Sequence, residues 1–153
     1  MSYLRRLLEC LKSIFHLNST KPEPYESIHE SELVSRFIFS SSHYSSTKKV
    51  VKYPAFIPSS AGEASILRID NLSEEQIQKI DAEFISGRRG KKSLARAEVF
   101  ISDIYKVGLI VSADIKNTHP RHANIKGFAS EKSFQKQQAV ELANKSRLVL
   151  YDS

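Results

Sequence analysis

From Leu94 to Ile101 the chain alternates with a period of two. Ala95, Ala97, Val99 and Ile101 fall on one side, and Leu94, Arg96, Glu98 and Phe100 on the other. That period belongs to a β-strand with one face against a core, and such a strand needs paired neighbours. Arg36-Phe37-Ile38-Phe39 and Val50-Val51-Lys52-Tyr53 are rich in β-branched and aromatic residues and are expected as strands, the second running on through Ala55-Phe56-Ile57-Pro58. Ala64 to Ile69, Leu109 to Val111, Ala123 to Ile125 and Leu148 to Leu150 are expected as further strands.

Helices are announced between them. Ser73 can cap a first turn with Gln76 three residues on, and Glu74 and Glu75 face the positive end of the helix dipole. Ile77, Ile80 and Phe84 form the buried stripe, and Gly87 is expected to stop the helix. Ser102-Asp103 is expected to cap a short helical turn ending at Gly108. Ser130 is expected to cap a last helix along which Phe134, Ala139, Leu142, Ala143 and Ser146 recur. Strands and helices do not alternate as regular βαβ units. The expected class is therefore α+β, a small mixed or mainly antiparallel sheet with two main helices. With 153 residues and 41% hydrophobic composition, one domain with a tail is the prior.

That tail reads as an amphipathic N-terminal helix over residues 1–17, with Leu4, Leu7, Leu8, Leu11, Ile14 and Phe15 on one face and Arg5, Arg6, Glu9 and Lys12 on the other. No uninterrupted apolar run is long enough for a signal peptide or a membrane span. The helix would dock on the domain or a partner, or lie in a membrane surface. Residues 18–32, with Pro22, Pro24 and four glutamates, read as a linker, and residues 33–153 as the domain. The lone Cys10 argues against a disulfide framework or a cysteine zinc site and fits a reducing, cytoplasmic setting, with peripheral contact at the inner membrane surface through residues 1–17.

Charge is unevenly spread. The net excess of +6 resolves into three positive stretches: 34–58 (Arg36, Lys48, Lys49, Lys52, no acid), 87–97 (Arg88, Arg89, Lys91, Lys92, Arg96), and 116–137 (five bases against Glu131). Between the first two, residues 59–86 carry six acids against Arg68 and Lys79. If the positive stretches meet on one face, they form a phosphate-attracting surface; otherwise they are solvated loops. Gly87-Arg88-Arg89-Gly90-Lys91-Lys92 is the sharpest piece, a basic loop whose amides could approach a phosphate. Neither a Walker nor a dinucleotide glycine motif is present, and no Gly-x-Ser-x-Gly elbow occurs.

Arg36, Arg68 and Arg96 interrupt strands, where a guanidinium is costly unless exposed, paired or facing an anion. Asp70 beside Arg68 and Glu98 beside Arg96 offer salt bridges as the alternative to a ligand. His119-Pro120-Arg121-His122 places two imidazoles three apart, but the proline marks a loop and carboxylates are few, so no metal is expected.

The series Ser35-Arg36-Phe37-Ile38-Phe39-Ser40, His43, Ala55-Phe56-Ile57-Pro58, Arg68-Ile69-Asp70-Asn71-Leu72-Ser73-Glu74-Glu75, Arg96-Ala97-Glu98 and Pro120-Arg121-His122-Ala123-Asn124-Ile125 resembles a family of small uncharacterised bacterial proteins with no established activity. The resemblance spans about residues 33–150 and implies a bacterial source and one domain, without catalytic residues or cofactor. Gly127-Phe128-Ala129 stands where that family reads Gly-Trp-Pro.

The functional expectation is a basic cleft that binds a phosphate-bearing partner, nucleic acid or nucleotide. His43, Arg68, Arg96 and His122 would line it, Arg36, Lys49 and Arg121 would lie near it, and Asn124 would add a polar contact. An enzyme reading uses His43 and His122 as an acid–base pair for metal-independent phosphodiester cleavage, with no cofactor. A third reading places the function in residues 1–17, at a membrane surface or a partner.

Overall fold

The computed structural model describes residues 27–114 and 119–151. The fold is α+β. Six strands form one antiparallel sheet, β1 (Leu33–Ile38), β4 (Ala64–Arg68), β5 (Ala95–Phe100), β6 (Ile110–Ala113), β7 (His122–Lys126) and β8 (Arg147–Leu150), in the order β6-β7-β4-β1-β5-β8. A ribbon of β2 (Tyr44–Ser45) and β3 (Val50–Val51) stands apart from it. The expected helix over residues 1–17 lies outside the described residues, as does most of the expected linker. Among the described residues no helix is long and apolar enough to cross a membrane.

Directly paired residues share a face, so the register sorts side chains to the two sides of the sheet. One side carries Val34, Ile38, Ile66, Ala95, Ala97, Val99, Ala123 and Ile125. Ala95, Ala97 and Ala123 are fully buried there, and their small side chains let the covering layer come close. That cover is α4 (Lys132–Lys145), through Ala139, Leu142 and Ala143, together with α3 (Ile101–Lys106) and the fully buried Phe56. Phe56 closes a 3₁₀ turn over Tyr53–Phe56, where a continuing strand was expected. Pro54 in its first positions has no amide to give a ladder and a φ already suited to a helical turn.

The other side carries Phe37 and Leu67, which with Ile69 and Ile77 form a second, smaller core under α1 (Glu74–Ile80). The start of α1 is as expected. Ser73 Oγ accepts the Gln76 amide at 3.1 Å, and Gln76 Oε1 accepts the Ser73 amide at 2.9 Å. Its end is not. The chain widens into a π turn over Asp81–Ile85, continues as α2 (Ser86–Arg89) and stops only at Gly90, where φ is +61°. Gly87 therefore sits inside the helical run. A Cβ there would stand 2.4 Å from the Ala82 carbonyl oxygen, because the wide turn brings that oxygen over residue 87. The turn is held by Asp81, only 4% exposed, whose carboxylate accepts the Ser93 hydroxyl and whose carbonyl accepts the Ser86 hydroxyl at 3.0 Å.

Two expected caps do not form. The first amides of α3 are bound not by Ser102 or Asp103 but by chain crossing in front of them: Ile101 N–H donates to Glu32 O and Ser102 N–H to Glu30 O. The last helix begins after Glu131 without a side-chain cap, rather than at Ser130. Residues 28–32, in the stretch expected as linker, pack on the fold: Ile28 touches the larger core and Glu32 is buried.

Two stability predictions follow from these contacts. Gly87→Ala should cost about 1–3 kcal/mol, since the helix has to shift to clear the Ala82 carbonyl. Glu32→Gln should cost about 1–3 kcal/mol by removing the carboxylate charge that faces the buried Arg68 guanidinium. Both are measured by urea unfolding, and a loss within error of zero in either variant contradicts the contact assigned to it.

Candidate functional site

Between the second face of the sheet and the helical ridge lies a half-open pocket of about 200 Å³. Its floor is apolar: Phe37 and Leu67 come from the sheet, and Ile80, Phe84 and Ile85 from the ridge. Its rim is cationic or titratable: Arg36, Arg88, Arg89, His119 and His122. No aspartate or glutamate is among its described lining residues.

Arg36 reaches the pocket because β1 and β4 separate early. Their pairing covers only Val34↔Arg68 and Ser35↔Leu67. Past that point Arg36 Nη1 donates to Ser65 O at 2.8 Å and Nε to Ala55 O at 3.0 Å, which anchors the guanidinium in the opening. Burial and the nearby Arg89 push its pKa down to about 10, so it remains charged at neutral pH in the field of a second cation. Arg89 lies over the Phe39 ring, 4.4 Å from its centroid. Arg88 and Arg89 enter the rim because the π turn and α2 carry the helix past Gly87; a helix ending there would have left them in a loop.

The two imidazoles stand at the opposite wall. His122 Nδ1 is 3.0 Å from Asp114 Oδ2. Burial lowers the His122 pKa below the usual 6.5, Asp114 works against that, and Arg88 adds to it. His119 Nδ1 accepts the Arg121 amide at 3.1 Å, and its ring meets Phe84 edge to face with centroids 4.9 Å apart. Burial, Arg121 and His122 lower its pKa, against Glu83. His43 closes the 3₁₀ turn Ser41–His43 and is not part of the pocket lining. It lies in the same electrostatic neighbourhood, since after burial its pKa is lowered by Arg36 and then Lys91.

The remaining expected residues have other work. Arg68 is bound by Glu32, with Nε–Oε1 at 2.8 Å and Nη2–Oε2 at 3.1 Å, so its partner comes from the expected linker rather than from Asp70. Arg96 donates to Glu74 at 2.7 Å and to Glu98 at 3.1 Å, with its side chain 3% exposed. Neither guanidinium lines the pocket, because each already has carboxylate partners across the fold. Arg121 ties down the Asp70 and Arg68 carbonyls at 2.9 and 3.4 Å. Asn124 is buried and accepts from the Ser65 hydroxyl at 3.4 Å. Lys49 ends the turn between β2 and β3 with φ +54°.

Of the expected set, the pocket thus gathers Arg36 and His122, and it adds Arg88, Arg89 and His119. The first two of these belong to the basic block already singled out in the sequence, and His119 to the His-Pro-Arg-His segment. The first two positive stretches contribute arginines to the rim, and the third contributes only the imidazoles of His119 and His122. Among the described residues no three His, Cys, Asp or Glu side chains are placed to hold a metal ion. No protein-family model, curated protein or solved structure matches this chain.

Folding holds His43, His119 and His122 below their usual 6.5. Between those depressed values and 6.5 the unfolded chain binds more protons than the folded one, so stability is complete above about 6.5 and declines as pH falls through that window. The melting temperature should therefore drop between pH 7 and pH 5. His122→Gln should flatten part of that drop, as followed by circular dichroism; an unchanged slope would show that His122 titrates alike in both states.

Proposed function

We propose that this domain binds a phosphate-bearing strand, a single-stranded nucleic acid, and seats one nucleotide unit in the pocket. The observation that carries the reading is the contrast among the arginines. Arg68 and Arg96 are matched by acids, whereas Arg36 lies close enough to Arg89 for its own charge to be disfavoured, beside a pocket with no described carboxylate in its lining. An anion placed between them relieves that repulsion and accepts charge-assisted hydrogen bonds from both guanidiniums.

The apolar floor suits the other half of a nucleotide. Phe37, Phe39 and Phe84 offer aromatic surface beside the cations, the combination by which single strands are held. Volume favours a strand over an enclosed free cofactor, because about 200 Å³ is below the roughly 300–1,000 Å³ usual for buried small ligands. A half-open site of that size takes one unit and lets the strand leave. Lys91, in the field of His43 as Arg36 is, extends the positive surface beyond the rim. A cytoplasmic setting agrees with such a partner.

Fluorescence anisotropy with labelled single-stranded RNA and DNA oligonucleotides tests the reading. Binding should weaken steeply from about 50 to 200 mM salt, with each contacted phosphate adding about −0.7 to the logarithmic slope. Arg89→Gln should weaken binding about tenfold for every sequence and reduce the slope by about one contact, while Lys106→Gln, on α3 and away from the rim, serves as control. No strand binding at low salt, or an Arg89→Gln variant that binds as well as the parent, contradicts the proposal. Binding of free nucleotide without strand would move the assignment to a small-molecule site.

A further inference from the structure

We propose that the pocket is also a catalytic site for RNA, in which His122, oriented by Asp114, drives the ribose 2′-hydroxyl of the bound strand onto its adjacent phosphate without a metal ion. The inference rests on the phosphate site proposed above.

Three features of the pocket carry it. First, Asp114 Oδ2 stands 3.0 Å from the buried His122 Nδ1, and its charge at that distance favours the ring proton on Nδ1 and leaves Nε2 as the acceptor. A carboxylate that fixes the tautomer and supports the imidazolium once it forms is what a general base of this kind needs. Second, His122 lines the same pocket as Arg36, Arg88 and Arg89, which places cationic donors where charge would develop on the phosphoryl oxygens. Third, the neighbouring His119 has the opposite polarity. Its Nδ1 accepts the Arg121 amide, so the neutral ring carries its proton on Nε2 and is a donor on that side. His119 and His122 thus expose different ring chemistry on one lining.

His122 is neutral at pH 7 in this environment, as a base must be, because burial outweighs Asp114. His43 does not share the wall, so the earlier pairing of His43 with His122 gives way to His122 with Asp114 behind it. In the reaction the O2′–P bond forms as Nε2 of His122 takes the 2′-hydroxyl proton. The P–O5′ bond then breaks, and the imidazolium returns that proton to O5′. The products are a strand ending in a 2′,3′-cyclic phosphate and a strand beginning with a 5′-hydroxyl. No oxidant, water or metal enters the balance. His122 is the catalytic residue and Asp114 a positioning residue.

The test incubates the full chain with a labelled RNA oligonucleotide in chelator, alongside the same sequence as DNA and as 2′-O-methyl RNA. Expected are RNA fragments with a cyclic phosphate terminus, intact DNA and intact methylated RNA, although both analogues bind. Under single-turnover conditions with saturating protein, His122→Gln should slow cleavage by at least about 100-fold. Asp114→Asn should move the acid limb of the pH–rate profile to lower pH, because Asp114 raises the His122 pKa; a purely structural role would lower the rate without moving that limb. RNA that binds but stays intact overturns the catalytic inference and leaves the binding site standing, and the same holds if DNA is cut equally or His122→Gln keeps the parental rate. Failure of RNA and both analogues to bind overturns both. The terminus of the wild-type product needs no variant, so poor folding of His122→Gln does not remove the test.

Discussion

Asp81 is buried where α1 widens into the π turn, and its carboxylate is held by Ser93 from beyond the helix. With Ser86 on its carbonyl, this bond favours a π turn over a regular one. The extra residue in that turn has two effects. It lets a glycine sit under the Ala82 carbonyl without ending the helix, and it rotates Arg88 and Arg89 onto the side that faces the sheet. Two of the rim's three guanidiniums follow directly after this turn. π turns are often found where function needs a helix re-aimed, and here the re-aiming has a visible consequence.

The sheet supplies the opposite wall by a comparable irregularity. β1 and β4 pair at only two positions, and the opening beyond them admits Arg36, whose register places it on the far side. The pocket is thus made where both the helix and the central pair of strands depart from regularity. The larger core on the other face, built on buried alanines and α4, is regular enough to support these departures.

Charge neutralisation divides the arginines into two groups. Glu32, Glu74 and Glu98 satisfy Arg68 and Arg96 inside or beside the sheet, where an unmatched guanidinium would be costly. Arg36 sits in the field of Arg89 at a pocket with no carboxylate among its described lining residues, which raises the positive potential at one place. His122 stands at the edge of that potential with Asp114 at its back, so its imidazole is both exposed to the pocket and restrained.

Local pattern alone determined several parts of this protein. The alternation over residues 95–99, the reciprocal cap of Ser73 and Gln76, and the positions of the three basic stretches were all legible, because each depends on neighbours within a few residues. The end of α1 was not, since Ser93 holds it from twelve residues away. The partner of Arg68 was not, since Glu32 lies thirty-six residues before it in a stretch whose composition resembles a linker. Which cations are cancelled and which converge follows from the strand order β6-β7-β4-β1-β5-β8 and from one short pairing within it. Hydrophobic period records which face a side chain takes and is blind to which strand lies alongside. Only the assembled sheet therefore decided that Arg36, Arg89 and His122 meet.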